Sequence, residues 1–231
     1  MRVGAICSAG GSAFFSAVEL AMECDLLSPA DVVVVTDRAC EAIGKSEEMG
    51  IACHKIDWSG NAQFSEAAKD VLGRAGCDVT LLFFTRLITS ELFSSILCFN
   101  IHPSLLPAYT GFHALDRARA QNAGFVGATL HVADANPDDG LIVAQVASPI
   151  DASATADSWN RVSYVQKTYL AFCLLEWMHS GAVSVSPGSE AVNWIASRRT
   201  TPSCSPALRA EASIAAFDRF QGQLGTRALI P

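Results

Sequence analysis

Phe99-Asn100-Ile101-His102-Pro103-Ser104-Leu105-Leu106-Pro107 ends an apolar strand on an Asn and a His two positions apart. Residues i and i+2 of a strand project to one face, so both side chains can meet one reacting group. The pair suits carbonyl chemistry: an amide NH₂ can hydrogen-bond a developing oxyanion while an imidazole donates or accepts a proton. The two prolines then impose a rigid, non-helical exit from the strand.

Upstream, residues 2–7, 32–37, 52–56 and 79–84 read as strands, with helices expected over 13–24, 40–49 and 62–74. Val32-Val33-Val34-Val35 and Val79-Thr80-Leu81-Leu82-Phe83-Phe84 are continuously apolar, as in parallel strands covered on both faces. Strands alternating with helices make this a Rossmann-like half. Downstream, 97–101 reads as a strand and 113–123 as a helix. Strands at 126–133 and 141–146 are close enough in sequence to be antiparallel neighbours extending the sheet. Residues 159–179 read as one long amphipathic helix, capped by Asp157-Ser158 and closed by Gly181. Residues 186–204 lack periodicity and 210–224 regain a helical pattern. The expected fold is α/β, a Rossmann-like parallel sheet extended by antiparallel strands. Its expected organisation is a catalytic domain over 1–185 with a C-terminal extension over 186–231 packed on it.

A chain of 231 residues, half of them hydrophobic, suits one large domain. Its first apolar run is broken by Ser8-Ala9-Gly10-Gly11-Ser12, too soon for a signal peptide, and Glu19, Glu23 and Asp25 interrupt the next. No membrane segment is expected. Eight cysteines, scattered without a Cys-x-x-Cys pair, read as reduced thiols of a cytoplasmic protein and not as a zinc site. A net charge of −7 argues against a nucleic-acid partner, and Arg198-Arg199 is too small a cluster to reverse it. Monomer and homodimer are both left open.

Tyr109-Thr110-Gly111, Gly127-Ala128-Thr129-Leu130-His131 and Asp138-Asp139-Gly140 follow the Asn-x-His-Pro-Ser-Leu-Leu-Pro run in order. Together these motifs resemble the folate-dependent formyltransferases, most closely the phosphoribosylglycinamide formyltransferase type, over about residues 1–180. The resemblance implies transfer of a formyl group from 10-formyltetrahydrofolate to the amine of a small-molecule acceptor. It implies Asn100, His102 and Asp138 as the catalytic group. His102, held as imidazolium by Asp138, would stabilise the oxyanion, Asn100 would orient the formyl oxygen, and Asp138 would relay the amine proton through water. His131, with Thr129, would support that water. Asp139 stands where the family has the first Gly of Asp-Gly-Gly, which leaves open which acid acts.

By the same resemblance, the folate would lie against Arg86, Leu87 and Ile88 and against Ala135, Asn136 and Pro137, with Arg86 able to meet its glutamate carboxylates. The acceptor would meet Gly10, Gly11 and Ser12, at a strand-to-helix turn suited to an anion. It would also meet Gln166, where the family places a Glu. Ala13 stands in place of a polar residue and Ala9 in place of a Gly. Ala13 and Gln166 make glycinamide ribonucleotide an expected poor acceptor, with an amino sugar or a hydroxylated amino acid as alternatives. His54, His113 and His179 are assigned to surface or core, and no metal is expected. Two other readings are formyltetrahydrofolate hydrolase, whose family carries an N-terminal regulatory domain not seen here, and a non-catalytic folate-binding homologue. Methionyl-tRNA formylation is disfavoured by the acidic charge and the short extension.

Overall fold

The structure, a computed structural model, describes residues 1–151, 153–189, 191–226 and 230. Five strands lie parallel: β1 (Val3–Cys7), β2 (Val32–Thr36), β3 (Ala52–Lys55), β4 (Val79–Phe83) and β5 (Leu97–His102). β6 (Phe125–Val132) and β7 (Ile142–Pro149) continue the sheet antiparallel from β5. Every residue of β1 and β2 is buried, which is why these strands carry no polar alternation. Their period of two sorts them between two cores. Val3, Ala5, Val32 and Val34 face one side, whereas Ile6, Val33 and Val35 face the other.

The helices complete the layers. α1 (Ser12–Glu23) and α6 (Ala156–His179) cover the first face, and α3 (Asn61–Arg74) and α4 (Ser90–Phe93) cover the second. α2 (Glu41–Glu48) and α5 (Ala114–Ala120) lie between them in the chain. α6 differs from the amphipathic helix expected: from Val162 to Trp177 nearly every residue is buried except Tyr164 and Lys167. The reason is that α1 and α7 (Glu211–Gln223) both pack on it while it lies on the sheet. Its cap is also not Asp157-Ser158. Thr155 is the cap, and its hydroxyl accepts a hydrogen bond from the Ser158 amide at 3.2 Å.

The C-terminal segment does more than rest on the surface. β8 (Val183–Ser184) pairs with β9 (Asn193–Trp194), and β10 (Cys204–Ser205) adds an antiparallel edge to β7. Two-residue strands carry no detectable period, so 186–204 reads as irregular in sequence. Residues 190, 227–229 and 231 of that segment lie outside the described residues. Among the described residues no helix is long and apolar enough to cross a membrane.

Candidate active site

β5 and β6 build the floor of the site. Their antiparallel register sets Asn100 opposite His131 and His102 opposite Thr129. Asp138 arrives from the loop joining β6 to β7, in a left-handed conformation with φ of 60°. That loop closes at Gly140, where a Cβ would collide with the Val132 carbonyl, so close backbone approach accounts for the glycine. Asp138 Oδ1 lies 3.2 Å from His102 Nδ1 and 3.7 Å from His131 Nε2. It also accepts from Asn100 Nδ2 at 3.4 Å, while Oδ2 accepts from the Gly111 amide at 2.7 Å. Asp139 is exposed, and Asp138 is the acid that reaches the histidines.

The two rings meet different hydrogen-bond partners. His102 is 5% exposed, its Nε2 donates to the Tyr109 carbonyl at 2.8 Å and its Nδ1 lies against Asp138, so both of its nitrogens face acceptors. His131 is different. Its Nδ1 donates to the Val132 carbonyl at 3.1 Å, leaving Nε2 to accept from Asn100 Nδ2 at 3.1 Å. That neutral ring orients the Asn100 amide.

Burial pushes His131 below its ordinary value of 6.5, against the opposing pull of the Val132 carbonyl and Asp138. The unfolded chain therefore binds this proton more readily, so the stability linked to His131 is complete above about pH 6.5 and is lost progressively as pH falls from there through the lower folded value. The urea midpoint is expected to drop between about pH 7.5 and about pH 5.5 in the native chain and to drop less in His131→Gln, which cannot titrate. Identical pH profiles would contradict this.

Above the floor opens a cavity of about 560 Å³, in the usual range for a small-molecule site. Asn100, His102, His131 and Asp138 line it, as do both loops expected to hold a folate, Arg86-Leu87-Ile88 and Ala135-Asn136-Pro137. Gly11 and Ser12 line it too, with Ala13. Arg86 is already engaged: Nε donates to Asp37 at 2.9 Å and the guanidinium lies over the Trp58 ring at 4.2 Å.

Three expected residues stand elsewhere. Gln166 is fully buried beneath the sheet, its Nε2 donating to the Val126 carbonyl and to Ser148 Oγ, both at 3.1 Å. The phase of α6 points it at β6 and β7, and the cavity is met instead by Tyr164 and Lys167. Thr129 is fully buried and braces the turn after β5, donating to the Ser104 carbonyl at 2.7 Å and accepting from the Leu106 amide at 3.0 Å. It does not reach the cavity. Gly10 does not line the cavity, and its carbonyl accepts from Lys45 Nζ at 3.3 Å. Tyr164, Lys167 and the turn Gly111-Phe112-His113 were not anticipated; His113 is exposed, as expected, but stands on the rim. The i, i+3 spacing of Tyr164 and Lys167 was visible in the sequence, but which stripe of a largely buried helix meets the cavity was not.

No group of three or more His, Cys, Asp or Glu side chains among the described residues is placed to hold a metal ion. Comparison with known proteins bears on the family. The chain is 24% identical to the trifunctional purine biosynthetic protein adenosine-3 of Bos taurus over 84% of its own length, and spans only 20% of that relative. It is 27% identical to the phosphoribosylglycinamide formyltransferase of Bacillus subtilis (strain 168), over 68% of this chain and 85% of that one. Its fold is like that of glycinamide ribonucleotide transformylase 1 from Symbiobacterium toebii, with a TM-score of 0.73 at 23% identity, over 80% of this chain and 91% of that one. The formyl transferase family pattern matches residues 1–170, which include β5 with its Asn100 and His102, the Asp138 loop and the greater part of α6, and the chain belongs to that family.

Proposed function

We propose that this protein transfers the formyl group of 10-formyltetrahydrofolate to the amine of a small-molecule acceptor. The observation that carries this reading is the contact of Asp138 with both His102 and Asn100 on the floor of one cavity. The acceptor nitrogen attacks the formyl carbon, and the carbonyl electron pair moves onto oxygen. The His102 N–H that donates to Tyr109 turns to that oxyanion, and the more weakly held Asn100 N–H, the one facing Asp138 at 3.4 Å, joins it. Asp138 takes the amine proton through a water and passes it to the departing folate nitrogen as the tetrahedral carbon collapses. The products are tetrahydrofolate and the formylated amine.

Phosphoribosylglycinamide is the first acceptor to try, because the Bacillus subtilis relative is named for it. The sequence-based case against it rested on Ala13 and Gln166, and Gln166 lies in the core. Backbone amides at the start of α1 remain for a phosphate.

The test follows formyl loss from 10-formyltetrahydrofolate with phosphoribosylglycinamide, an amino-sugar nucleotide, N-hydroxyornithine or no amine. Amine-dependent loss with a formylated product is expected. Equal loss without amine would make water the acceptor, and folate binding with no loss would leave a binding protein.

A further inference from the structure

β1 lies between β2 and β4 in the parallel sheet, so the loops that follow these three strands emerge side by side. The outer two are joined across the middle one. Asp37, the residue after β2, accepts at 2.9 Å from Nε of Arg86, in the loop after β4. β2 and β4 are about 10 Å apart across β1, a span that the long Arg side chain covers. Ser8, the residue after β1, donates its hydroxyl to the same Asp37 carboxylate. Its Oγ accepts in turn from the Thr85 amide at 3.2 Å, and its own amide donates to the Phe83 carbonyl at 3.2 Å.

The joined loops form part of the cavity. Phe84, Arg86, Leu87 and Ile88 line it, as do Gly11 and Ser12, which follow Ser8. The Arg86 guanidinium lies over the Trp58 ring at 4.2 Å, and that ring leans on Phe84 with centroids 6.2 Å apart. Asp37 does not itself line the cavity, and its side chain has no solvent exposure. Arg38 completes its partners, with Nε at 3.0 Å and Nη2 at 2.5 Å. Burial pushes the Asp37 carboxyl up, but Arg38, Arg86 and Ser8 together hold it below its ordinary value of 3.8. A buried ion pair adds little net stability over an apolar replacement, because desolvation offsets the attraction. It does fix direction, since the planar guanidinium bonds only along its N–H vectors.

We infer, resting on the formyl-transfer reading above, that Asp37 is a positioning residue of the donor site: by holding Arg86 on Trp58 and Ser8 against Thr85, it makes the folate loop and the loop that opens α1 one rigid unit. Donor affinity then depends on a carboxylate that does not touch the donor, because the loop is ordered before the folate arrives.

The test uses the whole chain with Asp37→Asn and Ser8→Ala. Hydrogen exchange without ligand is expected to accelerate in both variants over two segments, 84–89 and 8–13. In steady state, KM for 10-formyltetrahydrofolate should rise about tenfold in Asp37→Asn and about threefold in Ser8→Ala, with kcat within about threefold. Calorimetric titration with tetrahydrofolate should show the same loss of affinity. Should Asp37→Asn fail to fold, Ser8→Ala decides by the same readouts, since it keeps the ion pair and cuts only the tie to Thr85. Accelerated exchange confined to residues 36–40 overturns the inference, as does a lowered Tm with the donor KM unchanged. If the native chain releases no formyl group, the proposed function fails, while exchange at the two loops still decides whether Asp37 ties them together.

Discussion

His102→Ala and Asp138→Asn are each expected to lower kcat by about a hundredfold or more while leaving folate affinity within a few-fold. The two substitutions fail for different reasons. Alanine removes the N–H that donates to Tyr109 and is proposed to turn to the oxyanion. Asparagine at 138 keeps an acceptor for the Gly111 amide, now 2.7 Å from Oδ2, so the loop can stay in place. Its amide, however, can offer Nδ1 of His102 an N–H where the carboxylate offers an acceptor at 3.2 Å, which removes the partner the proposed imidazolium needs. The loops proposed to hold the folate keep their own contacts, Arg86 with Asp37 and the Asn136 amide with Asp134, so binding of the donor should survive. Single-turnover rates with saturating folate are the measurement, and turnover near the native value in either folded variant would remove these residues from the mechanism.

Glu176→Ala is expected to cost about 2 kcal/mol of stability, and so to lower Tm by about 4–8 °C for a chain of this size. Glu176 is 3% exposed in α6, and its carboxylate accepts from the Arg209 amide at 2.8 Å and from the Ala210 amide at 2.7 Å. Ala210 is the residue from which α7 starts, so the carboxylate also meets the positive end of that helix. Removing it leaves two backbone donors without a protein partner. Because Ala210 is exposed, water recovers part of the loss, which holds the figure at the low end. Glu176→Gln keeps an acceptor and should lose about half as much. Thermal melts of the three proteins decide it, and an alanine variant within 1 °C of the native chain would mean that the C-terminal segment is held by its apolar contacts alone.

Asn100 and His102 were legible as a pair because a strand's period of two is a local property, and both side chains do line one cavity. The unbroken valines of β2 likewise announced a strand buried on both faces, with neighbours on each side. Gln166 was misplaced for the opposite reason. Helical phase sets which residues share a stripe, but only packing against β6, β7 and α1 decides which stripe meets the ligand, and in a helix buried nearly all round the apolar pattern has no polar face to betray it.

The same division runs through the rest of the molecule. Periodicity along the chain carried the strands, the helices and the α/β class, because it reports how each segment meets water. The contact of Asp138 with both histidines, the Val132 partner of His131, the pairing of Arg86 with Asp37 and the attachment of β10 to β7 depend on partners that no short-range pattern names. Those contacts form only when segments distant in sequence are brought together, and their geometry is set by loop closure and side-chain packing, which leave no period behind.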